Sequence, residues 1–161
     1  APPKVAPPGG GGGCGACALG TYADSLNATS CTQCPINSTT LSEGSDTLTS
    51  CLCPPGFSLS LNASGECTPC LGGTYKNNSG SGECLVCPNR STSRLASHSV
   101  LDCECLEGTS GPAGGPCLCD EGTYADDTDP LSCLPCPANT TTSSNGAQAT
   151  SDCICVSGFS G

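Results

Sequence analysis

The sequence predicts a small disulfide-rich fold: tandem modules of short β-hairpins and loops, strung into an elongated rod with no large core. Eighteen of the 161 residues are cysteine, above the level at which a covalent scaffold becomes the default reading. Three Tyr and two Phe are the whole aromatic complement, with no Trp and no Met. So few large apolar side chains cannot fill one interior, and the chain is expected to divide into small units, each needing staples. The cysteines also recur with a period of about fifty residues, an internal repeat that fixes the organisation before any local element is assigned.

The order of elements follows from that repeat. Residues 1–13, APPKVAPPGGGGG, form a Pro/Gly-rich arm expected to be extended polyproline-II leading into flexible coil. Module 1 covers residues 14–67 and contains CxxGTYx8CxxCPx15CxCPPGF from Cys17 onward. Module 2, residues 68–117, runs CLGGTYx8CLVCPx14CECLEGT from Cys70, and module 3, residues 118–161, runs CDEGTYx8CLPCPx15CICVSGF from Cys119 and lacks the last cysteine. The GT, GF and CP steps mark short strands and turns. No window has a convincing helical period, although short turns fit TLSEGSD and SRLASHS. Tyr22, Tyr75 and Tyr124 each follow their module's first cysteine by five residues; Phe57 and Phe159 follow the fifth by four, with Thr109 at that place in module 2. These rings are expected to pack over disulfides or against the next module's strand.

Charge and hydropathy exclude several function classes. Lys4, Lys76, Arg90 and Arg94 face fourteen acidic residues, a net charge of -10 that phosphate backbones and anionic lipid would repel. Nucleic acid is therefore not an expected partner. No apolar run approaches the roughly 18 residues of a membrane span, and APPKVAPP lacks the apolar core of a signal peptide, so the chain reads as a mature or excised segment.

Cysteine can serve metal, redox or structure. Cys14, Cys17, Cys31 and Cys34 have the CxxC…CxxC spacing of a four-thiolate zinc ribbon. Yet every module carries a CxC, eighteen thiols do not divide into fours, and His98 is the only histidine. A redox CxxC needs a helix start or a positive pocket, which four cations scarcely supply. Structural disulfides, and with them an oxidising extracellular setting, account for the pattern better. Six of eight asparagines lie in NxS/T sequons, Asn27, Asn37, Asn62, Asn77, Asn89 and Asn139, as expected for a secreted glycoprotein. Asn37, Asn89 and Asn139 are read as falling at matching places after a CP dipeptide.

CxxGTY, then CxxCP followed by Ser/Thr, then CxC and a GF step, resembles the cysteine-rich repeat of ephrin-receptor ectodomains, a relative of the EGF-like module, over residues 14–161. The resemblance implies a non-catalytic spacer that also mediates lateral or end-to-end contacts; no ephrin-binding or kinase domain is present from which receptor activity could be carried over. The Ala-Pro-Pro arm similarly resembles hydroxyproline-rich segments of plant and green-algal surface glycoproteins, which makes Pro2, Pro3, Pro7 and Pro8 candidates for hydroxylation and O-glycosylation.

Six cysteines allow fifteen pairings, and spacing does not choose among them. The EGF-like resemblance implies first with third, second with fourth and fifth with sixth: Cys17 with Cys34, Cys31 with Cys51, Cys53 with Cys67, Cys70 with Cys87, Cys84 with Cys103, Cys105 with Cys117, Cys119 with Cys136, and Cys133 with Cys153. Cys155, a fifth cysteine without its sixth, and Cys14, a sixth without its fifth, remain. Cys155 is expected to bond Cys14 of the next copy, a heterologous contact giving a head-to-tail filament or one longer chain of such repeats; the alternative is that Cys14 pairs locally, or with Cys155 of a truncated chain.

No catalytic constellation is found. His98 has no repeat-matched partner, and GTSG at 108–111 and GFSG at 158–161 lack the spacing of a nucleophile elbow. No cofactor motif is present. The acidic run with Asp120, Glu121, Asp126, Asp127 and Asp129 lacks EF-hand spacing and is expected to be a solvated loop rather than a calcium site. The function expected is that of a structural extracellular glycoprotein whose partner is itself, with a spacer or adhesion segment of a receptor ectodomain as the alternative.

Overall fold

A computed structural model describes residues 13–60 and 65–161, together with the backbone of Lys4–Val5. Asn62 and the four candidate prolines Pro2, Pro3, Pro7 and Pro8 lie outside the described residues. The described chain is built from antiparallel pairs of two- or three-residue strands and three single-turn 3-10 segments, Leu48–Ser50, Val100–Asp102 and Thr150–Asp152. The small disulfide-rich class without a large core is thus observed. Two compact units result, one comprising Ala1–Cys70 with Lys76–Cys84, the other Leu71–Tyr75 with Leu85–Gly161.

Three kinds of pairing recur, the first two in every repeat and the third after the first and second repeats. In the first, the GTY strand meets the strand between the CxxC cysteines: Thr21–Tyr22 with Thr32–Gln33, Thr74–Tyr75 with Leu85–Val86, and Thr123–Ala125 with Cys133–Pro135. In the second, the segment after CP meets the CxC: a single bridge from Thr39 to Leu52, then Ser91–Thr92 with Glu104–Cys105, and Thr140–Thr141 with Ile154–Cys155. In the third, the strand after CxC meets the residues ahead of the next repeat: Phe57–Leu59 with Cys67–Pro69, and Thr109–Ser110 with Leu118–Cys119.

One kind of turn supports these pairings. The amide of Thr21 donates to the Ala18 carbonyl, that of Phe57 to Pro54, and that of Ser38 to Pro35. In each, the residue before the donor has positive φ, Gly20 at 78°, Gly56 at 83° and Asn37 at 59°, the requirement of a type II turn. The hydroxyls of Thr21 and Ser38 donate to the same carbonyls at 2.6 and 2.7 Å. The xxGT, PPGF and CPxN steps are therefore one device repeated. The turns within TLSEGSD and SRLASHS are also present, at Glu43–Gly44 and Leu95–Ala96.

Sulfur fills the interior. Cys17, Cys53, Cys67, Cys70, Cys87, Cys103, Cys117 and Cys119 are buried, joined by Tyr22, Ala23 and Ala125. A buried hydroxyl ties the first turn of each repeat to the second: Thr40 Oγ1 accepts the Gly20 amide, Ser93 Oγ donates to the Thr74 carbonyl, and Thr142 Oγ1 accepts the Gly122 amide. The aromatic expectation needs one correction. Phe159 is 56% exposed, because no strand among the described residues lies opposite it as Pro69 lies opposite Phe57.

Candidate functional site

The functional feature of this chain is its ladder of disulfides and the two cysteines left outside it. Eight bonds are present: Cys17–Cys31, Cys34–Cys51, Cys53–Cys67, Cys70–Cys84, Cys87–Cys103, Cys105–Cys117, Cys119–Cys133 and Cys136–Cys153. Cys53 with Cys67 and Cys105 with Cys117 bond as the EGF-like resemblance implies. The other six pairings it implies are replaced. Cys17 bonds Cys31, not Cys34; Cys31 is therefore not bonded to Cys51, which takes Cys34. Cys70 bonds Cys84 rather than Cys87, and Cys103 bonds Cys87 rather than Cys84. Cys119 bonds Cys133 rather than Cys136, and Cys153 bonds Cys136 rather than Cys133.

Strand geometry explains the replacement. Successive side chains of an extended strand alternate in direction, so two cysteines three residues apart face opposite ways. Cys31 and Cys34 bracket the strand Thr32–Gln33: one turns back to Cys17, which the Ala18–Thr21 turn folds toward it, and the other turns forward to Cys51. The same holds around Leu85–Val86 and in Cys133–Pro135. The Cα–Cα separations of 5.5 to 5.8 Å sit at the preferred value for the bond. With Cys17, Cys31 and Cys34 in disulfides, the zinc-ribbon set has no thiolates to offer beyond Cys14.

Cys14 and Cys155 are free and exposed in this single chain. The strand next to Cys14, Gly15–Ala16, pairs with Lys4–Val5 of the arm. Beyond Cys155, the amide of Phe159 donates to the Val156 carbonyl at 3.1 Å with Gly158 at φ 97°, the same turn that precedes Phe57.

The sequon asparagines Asn27, Asn37, Asn77, Asn89 and Asn139 are all exposed. Three of them, Asn27, Asn37 and Asn139, have φ of 63°, 59° and 62°, where asparagine is favoured over most residues for backbone reasons alone. Asn37 and Asn139 share the third position of the turn after CP, but Asn89 does not match them: Arg90 takes that position, at φ 62°, and Asn89 stands one residue earlier. Asn37 Nδ2 also donates to the Cys67 carbonyl at 3.1 Å. Asn77 sits beside the buried Lys76, whose ammonium donates to the carbonyls of Asn78 and Gly80 at 2.7 and 3.0 Å and ties down the loop bearing this sequon. Burial lowers the Lys76 pKa. Modules 1 and 3 carry buried Ala23 and Ala125 at the place of Lys76, and no motif announced the difference.

Three carboxylates of the acidic run, those of Asp120, Asp126 and Asp129, accept hydrogen bonds within the chain. Asp126 Oδ1 accepts from the amide and hydroxyl of Thr128, Asp129 Oδ1 accepts the Leu131 amide, and Asp120 accepts the Ser110 hydroxyl. The Asp126 carboxyl is held below its usual range, chiefly by Thr128. His98, 70% exposed, lies 3.3 Å from Asp102. Asp102 Oδ2 accepts the amides of His98 and Ser99 at 2.8 and 2.9 Å, which with the nearby imidazole depresses its pKa. This carboxylate closes the 3-10 turn ahead of Cys103, and Asp152 does the same ahead of Cys153, accepting the Gln148 amide at 2.8 Å. Among the described residues, no helix is long and apolar enough to cross a membrane.

Comparison with known proteins adds the phase of the repeat. Residues 8–51, 56–103 and 108–153 each match the family described as tyrosine-protein kinase ephrin type A/B receptor-like. Cysteine repeat modular protein A of Toxoplasma gondii is 32% identical over 166 residues, covering 88% of this chain and 5% of that protein. A Rattus norvegicus protein with sushi, von Willebrand factor type A, EGF and pentraxin domains is 42% identical over 106 residues, covering 63% of this chain and 3% of its own length. Human ephrin type-B receptor 4 is 36% identical over 72 residues, 44% of this chain and 7% of the receptor. The chain thus spans a small fraction of each relative. Cys53, Cys105 and Cys155 fall outside the three matched stretches; Cys53 and Cys105 are the cysteines that bond forward into the following one.

Proposed function

We propose, of a chain that belongs to the ephrin type A/B receptor-like cysteine-rich repeat family, that it is a structural segment of an extracellular protein, extended head to tail through Cys155. The observation that carries this reading is the forward bond. Cys53 and Cys105 staple each repeat to the next, and Cys155 occupies the same position with its thiol exposed. Its partner is a sixth-position cysteine, Cys14 of the next copy or its counterpart in a longer chain. The unit is then a non-catalytic spacer whose stiffness comes from one covalent bond per repeat boundary rather than from apolar interfaces. The large relatives, cysteine repeat modular protein A among them, are consistent with a part that is used repeatedly within long chains. An extracellular setting follows from the disulfide content, and N-glycans at the exposed asparagines would coat the surface between staples.

A spacer that also adheres to a protein is the second reading. It is favoured by exposed apolar side chains, Leu26 at 91% and Val86 at 78% among them. Secreting the chain from an oxidising compartment and mapping its unreduced peptides tests the choice. A Cys14–Cys155 bridge between differently isotope-labelled copies supports the head-to-tail reading; monomers with both thiols free at high concentration refute it for copies of this chain.

A further inference from the structure

We infer that the Gly15–Ala16 edge beside Cys14 is a strand-acceptor site for residues Phe159–Ser160 of a second copy, and that the chain's own Lys4–Val5 strand guards it. This rests on the head-to-tail reading and deepens it. Within the chain, Phe57 pairs with Pro69, Ser58 with Thr68 and Leu59 with Cys67. Pro69 and Ala16 both stand directly before the first cysteine of a repeat. Lys4 pairs with Ala16 and Val5 with Gly15, so the arm lies along the edge that Phe57–Ser58 covers at Pro69 and Thr68. Cys14 and Cys17 share the two-residue spacing of Cys67 and Cys70, whereas a single residue separates Cys117 from Cys119 and there the register moves by one, with Thr109 facing Cys119.

The donor is formed before it is used. Gly158–Phe159 closes the same turn as Gly56–Phe57, with identical amide-to-carbonyl distances of 3.1 Å, and Phe159 is exposed. Cys155 precedes Phe159 by the same four residues that separate Cys53 from Phe57. Laid on Gly15–Ala16 in the register of the internal strand pair, Phe159 would face Ala16, Ser160 would face Gly15, and Cys155 would reach Cys14 as Cys53 reaches Cys67. The Cys17 amide would donate to the Gly158 carbonyl, as the Cys70 amide donates to Gly56 at 2.8 Å. This is strand addition at an edge, with main-chain bonds giving register and the disulfide making it permanent. The arm must leave first, so assembly is limited by its displacement.

The test uses the full chain carrying Cys155→Ser, which leaves Cys14 as its only thiol, and a synthetic peptide of residues 154–161, ICVSGFSG, supplied as the mixed disulfide with glutathione. The Cys14 thiolate attacks the peptide sulfur, a Cys14–peptide bond forms, and glutathione thiolate leaves and takes up a proton, with no other oxidant needed. Lys4→Pro with Val5→Pro removes the amides the arm can offer its partner. Linkage at Cys14, followed by mass spectrometry, is expected to be at least tenfold faster in this arm variant than with the arm intact, and to outpace a scrambled peptide by a similar factor. Equal rates with and without the arm prolines overturn the guarding role, and an equally fast scrambled peptide overturns the acceptor site. Chains retaining Cys155 separate this from the parent reading: Cys14–Cys155 multimers forming equally fast with either arm sink the guard while leaving head-to-tail assembly standing.

Discussion

Exchanging alanine and glycine at one turn of two repeats isolates how much the backbone conformation contributes. Gly44, Ala96 and Gly146 occupy the same position in the three repeats, at φ 72°, 61° and 91°. An L-residue there costs about 1–2 kcal/mol, partly offset by the roughly 0.5–1 kcal/mol of extra chain entropy that glycine loses on folding. Ala96→Gly should therefore stabilise its loop by about 0.5–1 kcal/mol. Gly146→Ala should cost about as much, and more if Leu118 cannot yield, since an added Cβ would lie 3.3 Å from Leu118 Cδ1. Native-state hydrogen exchange with the disulfides intact reads this locally. The Gly146 amide, bonded to the Cys119 carbonyl at 2.8 Å, should exchange up to about fivefold faster after Gly146→Ala, the factor that corresponds to about 1 kcal/mol. The amide of Gly73, bonded to Ser93 across the same turn region of the second repeat, should exchange more slowly after Ala96→Gly. If neither substitution moves its amide, positive φ is not what selects glycine here, and the turn argument fails for the CPxN step as well.

At Asn139, Asn139→Gly and Asn139→Ala both abolish the sequon, so any effect of a sugar cancels between them; the alanine variant should be less stable by about 1 kcal/mol in denaturant titration. Cys34→Ser should cost about 3 kcal/mol for a loop of this span, and alkylation followed by peptide mapping should find the new thiol at Cys51 rather than Cys17. The Asp102 carboxyl is depressed in the folded state by the His98 amide first, with Ser99 and the imidazole adding. Its contribution to stability is complete above the ordinary carboxyl pKa near about 4 and is lost as pH falls through the lower folded value. Asp102→Asn should accordingly flatten the acid limb of a stability-against-pH curve, and an unchanged acid limb would contradict the assignment.

Cysteine count and period are enough to read the fold class and the repeat, because a chain with five aromatics cannot close on apolar side chains alone. The forward bonds Cys53–Cys67 and Cys105–Cys117 were legible by resemblance. The first four cysteines of each repeat were not, since CxxC says nothing of partners until the two cysteines are placed on either side of a strand, where alternation sends Cys31 and Cys34 apart. Asn89 misled for a related reason: the sequon moves by one residue relative to the turn, and Arg90 holds the position that Asn37 and Asn139 fill. The sequons carry two messages at once, for asparagine suits both a positive φ and a glycan. Lys76 was invisible because its burial depends on two carbonyls, those of Asn78 and Gly80, that no sequence pattern places near its ammonium.

The most direct measurement is a map of the disulfides in the chain expressed through an oxidising compartment, taken without reduction at low pH so that thiols cannot exchange. Peptides joining Cys17 to Cys31, Cys34 to Cys51 and Cys53 to Cys67, and their counterparts in the other repeats, are predicted. Peptides joining Cys17 to Cys34 and Cys31 to Cys51 would contradict the local ladder, and Cys53 or Cys105 joined to any cysteine other than Cys67 or Cys117 would remove the forward bond on which head-to-tail extension depends.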